Sequence, residues 1–182
     1  MKKFLRYTLA IVLFLYFLAT FIVSPILDKQ MNLVEYSDPR QLGSEAKELY
    51  NSLEFIADLH CDALLWDRDL TKELDYAHLD FPRMQQANMS LQAFTIVTKS
   101  PKGQNFKQNS ADAFDEITML NFVQGRLPDK WFSLYKRAVY QARALQDYQE
   151  KYSGKFQLVK SRQDLKNLIE LKKKDPEVIG GF

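Results

Sequence analysis

Three short apolar runs, Phe55–His60, Ser90–Thr98 and Glu177–Phe182, are separated by long stretches with helical spacing. Strands that alternate with helices pair in parallel and need helices packed over their faces. A parallel sheet of three strands leaves an open edge with unpaired backbone groups, and three strands are too few to close a barrel. The expectation is therefore an α/β chain with about three strands plus helices, forming the first part of a larger domain.

The intervening stretches fill in that outline. Ser110–Gln124 reads as a helix capped by Ser110, with Asp112, Asp115 and Glu116 in its first turns. Trp131, Tyr135, Ala138, Ala142, Leu145 and Tyr148 step by three and four, which predicts one packed side of a longer helix ending at Gly154. Phe156–Val159 reads as a short extended piece. Ser161 with Asp164 three residues on resembles a capping box, and Leu165, Leu168 and Ile169 give that helix its inner side. Lys172–Lys174 suit its solvated C-terminal end. Trp66–Met84 is charged and irregular and reads as a loop.

The first residues carry a separate signal. After Lys2, Lys3 and Arg6, Tyr7–Val23 runs 17 residues without a charge, and Pro25 closes the run. This pattern fits an uncleaved signal-anchor over residues 1–25, with the basic flank inside and the body outside the cytoplasm. A cleaved signal shares the pattern, and either way the body is exported. Residues 26–53, with Ser37–Arg40 and Gly43 as breakers and a short helix over Ser44–Leu53, read as a linker. Residues 54–182 form the domain. Apart from the basic flank, the chain holds 22 basic against 23 acidic residues. No basic face is offered to nucleic acid. The single cysteine, Cys61, rules out an internal disulfide.

The first strand holds the chemistry. Side chains alternate along a strand, so Asp58, His60 and Asp62 share one face, and Ala57, Leu59 and Cys61 the other. An imidazole and a carboxylate at the carboxyl end of a strand suit Zn²⁺, with Asp58 one step further in, orienting a ligand or a backbone group. A solvated or structural trio is the plainer alternative for so common a spacing. On the same terms His78 is a structural hydrogen-bonding residue and Cys61 a small buried hydrophobe. Asp67, Arg68 and Asp69 line the mouth of the site or form a paired, solvated loop.

Several spaced motifs then occur in order: Asp58-Leu59-His60-Cys61-Asp62, His78-Leu79-Asp80-Phe81-Pro82-Arg83-Met84, and Leu91-Gln92-Ala93-Phe94. Together they resemble the opening of the membrane dipeptidase family, the renal dipeptidase type of zinc metallopeptidase, from about residue 45 onward. The likeness is to the exported bacterial branch, which implies an inner-membrane anchor with the domain on the periplasmic side. It implies a (β/α)8 TIM-type barrel, two Zn²⁺ ions per complete enzyme, and hydrolysis of dipeptides by a metal-activated water. His60 and Asp62 would ligate one zinc. The remaining ligands and the substrate-binding residues would come from later strands, so no catalytic residue is expected before Phe182. In the family a metal-bridging glutamate follows the third strand, and this chain reaches Gly180-Gly181-Phe182 just short of it. The expectation is an N-terminal portion of such an enzyme, with a homodimer allowed in the complete form. Two alternatives are another metal-dependent barrel amidohydrolase, although that group opens with His-x-His, and a non-catalytic membrane-tethered binding module.

Overall fold

The computed structural model describes residues 2–35 and 42–182. In chain order the elements are α1 (Lys2–Leu18), a π turn (Ala19–Val23), α2 (Ser24–Met31), α3 (Ser44–Ser52), β1 (Ala57–Cys61), α4 (Phe81–Gln86), β2 (Leu91–Phe94), α5 (Glu116–Val123), α6 (Leu134–Lys151), β3 (Phe156–Leu158), α7 (Arg162–Lys174) and β4 (Ile179–Gly181). They divide into two compact units, one of Met1–Met31 with Val97–Tyr140 and one of Asn32–Ile96 with Gln141–Phe182. The breakers at Ser37–Arg40 lie outside the described residues.

The sheet unit is α/β. Its four strands are all parallel and lie in the order β1-β2-β4-β3. The extended piece at Phe156 is thus a fourth strand, pairing with β4. The three strands expected from the sequence are β1, β2 and β4, and they are neighbours in that order. Among the described residues the sheet is open, with β1 and β3 at its edges.

Helices cover both faces. On one face Phe81 and Met84 of α4 meet Phe94, Phe156 and Ile179 from the strands and Leu145 and Tyr148 from α6. Phe81 is fully buried, stacks on Phe156 at 4.9 Å and meets Tyr148 edge-on at 5.0 Å. Aromatic pairs in these geometries add to what area burial alone supplies. On the other face Leu168 of α7 packs with Leu91 and Val178. Gly180 and Gly181 make this double clasp possible. A Cβ on Gly180 would sit 2.3 Å from Leu168 Cδ2, and one on Gly181 would sit 2.8 Å from Phe156 Cζ.

Helix ends correct several sequence expectations. Ser161 accepts from the Asp164 amide at 3.2 Å and donates to its carboxylate at 2.9 Å, the capping box the sequence predicts. In contrast, α5 begins at Glu116, and its cap is Asp115 rather than Ser110. Trp131 precedes α6 instead of lying on it, and Tyr135 is exposed, so only the later part of that stripe reaches the core. The Phe81–Met84 stretch is helical rather than loop. Lys172 is not solvated: it is 7% exposed, and its Nζ donates to the Pro176 carbonyl at 2.9 Å and the Met89 carbonyl at 3.3 Å.

The unit that holds α1 begins with one continuous helical run. Lys2–Met31 is long and apolar enough to cross a membrane, and the most apolar part of it is not buried within the protein. In the rest of this unit, Arg137 is 1% exposed and ties loops together. It donates to Asp115 at 2.5 Å, to the Thr98 carbonyl at 2.6 Å, to the Lys130 carbonyl at 2.8 Å and to the Trp131 carbonyl.

Candidate metal centre

β1 differs from the buried strand that its apolar opening suggests. Ala57–His60 are exposed, Leu59 is 72% exposed, and β1 lies at the edge of the sheet. Its alternation is also broken. Asp58 pairs with Gln92 and Cys61 with Phe94, so three steps on β1 match two on β2. A bulge of this kind re-aims the side chains that follow it. Asp58 and Cys61 consequently share one face, not opposite ones, and Cys61 packs half-buried beside the Phe94 cluster.

The bulge brings the chemistry together at the carboxyl end of the strand. Asp62 has left the strand and occupies the residue before a short 3₁₀ turn, Ala63–Leu65. There its Oδ2 lies 3.4 Å from His60 Nε2. Its other oxygen, Oδ1, accepts from the Thr95 hydroxyl at the end of β2. Asp58 turns back on the backbone, where Oδ1 accepts from the His60 amide at 3.2 Å. Thr95 is the site residue that sequence reading misses, since a threonine after a strand carries no signal until the register is known.

A cleft of about 240 Å³ opens at this point, lined by His60, Cys61, Asp62, Trp66, Arg68 and His78 among others. Both histidines of the chain therefore face one cleft. The His78 ring makes no hydrogen bond among the described residues, where the sequence predicts a structural one. Its approach is set by Ala77, whose φ of 69° is in the left-handed region. An alanine there costs about 1–2 kcal/mol. Two bonds hold it: the Ala77 amide donates to the Asn32 carbonyl at 2.8 Å, and the Ala77 carbonyl accepts from Arg83 Nη1 at 2.7 Å.

The Asp80-Phe81-Pro82-Arg83 motif is the anchor for this loop. Asp80 is fully buried. It accepts from the Arg83 amide at 2.9 Å, capping α4, and from Arg83 Nε and Nη2, both at 2.7 Å. It also accepts from the Leu74 amide at 3.1 Å. One carboxylate thus caps the helix, pairs with the arginine and closes the loop that ends at His78.

The donor chemistry suits zinc as far as it goes. Two ligands bound to a tetrahedral zinc at 2.0–2.1 Å stand about 3.3–3.4 Å apart, and the His60 and Asp62 atoms are 3.4 Å apart. Both side chains are open to an incoming ion, at 71% and 46% exposure. Burial pushes the Cys61 thiol above its ordinary value, and Asp58 and Asp62 add to that effect. Among the described residues, no group of three His, Cys, Asp or Glu side chains converges on one point. The residues present fit two ligand positions of one zinc ion.

No family model matches the chain, and no curated protein or solved structure matches it either.

Proposed function

We propose zinc-dependent hydrolysis of dipeptides outside the cytoplasm, on a barrel to which these residues contribute the opening strands, with α1 as the membrane anchor. The observation that carries this reading is the His60–Asp62 pair, set 3.4 Å apart at the carboxyl end of a parallel strand. Ligands of parallel α/β sheets bind at that end of the strands. Further support comes from the edge. β1 exposes nearly its whole length, and the buried Gln92 Oε1 has no hydrogen-bond partner. An additional strand beside β1 would cover the first, and a polar neighbour would satisfy the second. β3 pairs along the far edge of β4, so a closed barrel requires that edge to be yielded or extended.

In this reading His60 and Asp62 hold the ion, Thr95 fixes the rotation of the Asp62 carboxylate, and Asp58 fixes the His60 backbone. Zinc there would supply Lewis-acid chemistry, polarising the peptide carbonyl and acidifying a water. Arg68 places positive charge on the cleft wall, where a dipeptide carboxylate would be drawn, and the Trp66 indole offers an apolar surface to its side chain.

Metal titration of the detergent-solubilised chain tests this. Zinc uptake should be weak and reversed by a mild chelator. His60→Ala and Asp62→Asn should each lower affinity by at least about 100-fold, and Thr95→Val by about 10-fold. Uptake unaffected by either ligand substitution would remove the proposed site.

A second reading has its own observation. Arg68 and the Trp66 indole line the cleft beside the pair, contacts that a tethered binding module without catalysis would use. Such a module would bind dipeptide with no dependence on zinc.

A further inference from the structure

The unit that holds α1 has an apolar cleft of about 550 Å³, formed on one wall by Val12, Leu13 and Tyr16 of α1 and on the other by Leu127, Pro128 and Trp131. The two walls touch directly. Phe122 meets Tyr16 with ring centroids 5.4 Å apart, and Trp131 packs edge-on against Phe122 at 5.1 Å. Gly125, at φ 70°, lies so close to α1 that a Cβ would fall 2.6 Å from Thr20 Cγ2.

From these contacts we infer that the segment Phe122–Tyr135 is a second membrane element, entering the bilayer beside α1 rather than standing in water. The inference rests on the reading that α1 spans the bilayer. If Val12 to Tyr16 lie in hydrocarbon, then Leu127 and Trp131, which line the same cleft, lie at the same depth. The surface of the segment has the character this requires. Leu127 is 66% exposed, Phe132 80% and Tyr135 73%, so the segment presents three large apolar or aromatic side chains to its surroundings. Its cations are drawn back from that surface, and its half-exposed carboxylate, Asp129, is paired with Lys130 Nζ at 3.1 Å. Arg126 is 4% exposed and sits over the Tyr140 ring at 4.5 Å, and Lys130 Nζ approaches the same ring at 5.5 Å. Exposed apolar and aromatic side chains beside retracted cations suit a surface that faces lipid. Among possible occupants, acyl chains are favoured because the other wall of the cleft is the apolar helix itself. A second copy or another protein would have to displace lipid from that helix to reach it.

Site-directed labelling of the full chain in phosphatidylethanolamine–phosphatidylglycerol vesicles tests the inference. With Cys61→Ser as background, Leu13→Cys, Phe132→Cys and Glu150→Cys each receive a polarity-sensitive fluorophore. Quenching by spin-labelled lipid is then compared with quenching by aqueous iodide. Lipid quenching at position 132 should come within about twofold of that at position 13, with position 150 quenched from water only. Lipid quenching at 13 with iodide quenching at 132 would overturn the inference and leave the anchor reading standing. A label at 132 shielded from both quenchers would put protein in place of lipid and also overturn it. Iodide quenching at position 13 would remove the anchor reading and the inference together. Phe132 is mostly exposed, so its substitution leaves the packing of the unit intact.

Discussion

Replacing Asp80 with alanine should cost the sheet unit about 3–5 kcal/mol, the range for removing one partner of a buried charge pair. The carboxylate is fully buried and accepts from two backbone amides and from two nitrogens of Arg83. Without it the α4 N-terminus and the Leu74 amide lose their acceptor, and a guanidinium only 27% exposed loses its counter-charge. Such a loss is a large part of the 5–15 kcal/mol that holds a typical domain together. Asp80→Asn should fall between the two, since an amide oxygen still caps the helix but carries no charge. Urea unfolding monitored by near-ultraviolet circular dichroism reads the loss, and hydrogen exchange locates it. The Leu74, Ala77 and Arg83 amides should exchange faster even where the variant stays folded, because Arg83 also holds the strained Ala77 turn. An Asp80→Ala chain within about 1 kcal/mol of the parent would show the ion pair to be incidental.

That clamp also shows what the residues make legible and what they conceal. The strand–helix alternation is visible in the sequence because it depends on local periodicity, and β1, β2 and β4 appear where the apolar runs predict them. The Ser161 cap is equally local, a matter of two side chains three residues apart. In the Asp80–Arg83 stretch the same logic is hidden. The charged, irregular run around it suggests a loop, yet Pro82 in the first turn of a helix loses no hydrogen bond and favours that start. The α5 boundary is hidden for a different reason. Ser110 and Asp115 are both fair caps, and the choice of Asp115 depends on Arg137, 22 residues away. At the His60–Asp62 pair, the placing of the two together is legible from their spacing, but the means is not. Simple alternation puts Cys61 on the opposite face, and only the pairing with β2 discloses the bulge that brings it round and hands Asp62 to the following turn. Exposure of β1 is also beyond the sequence, because an apolar run does not say which edge of a sheet it occupies.

Arg137 is the corresponding test of the unit that holds α1, and its effect has a pH signature. Arg137→Met should cost about 3 kcal/mol, the low end for a broken buried pair, because Asp115 is 17% exposed and keeps the Ser100 and Ile117 amides as donors. The substitution also strips donors from the Thr98, Lys130 and Trp131 carbonyls, so hydrogen exchange should rise at both ends of the Thr98–Arg137 segment together. Burial alone would raise the Asp115 carboxyl. The Arg137 hydrogen bond, the Ser100 amide and the Arg137 charge outweigh it and hold that group below its ordinary value of 3.8. A carboxyl lowered in the folded state contributes stability that is complete above the unfolded value and is lost as pH falls through the folded one. The parent chain should therefore hold this contribution at neutral pH and shed it progressively below about pH 4. In Arg137→Met most of the depression disappears, so the difference between the two chains should be largest at neutral pH and shrink in acid. Asp115→Asn in the Arg137→Met background should add little, because the two residues act as one unit. A gap between parent and Arg137→Met that stays constant from neutral pH down past pH 3 would mean the arginine acts through its carbonyl contacts and not through Asp115.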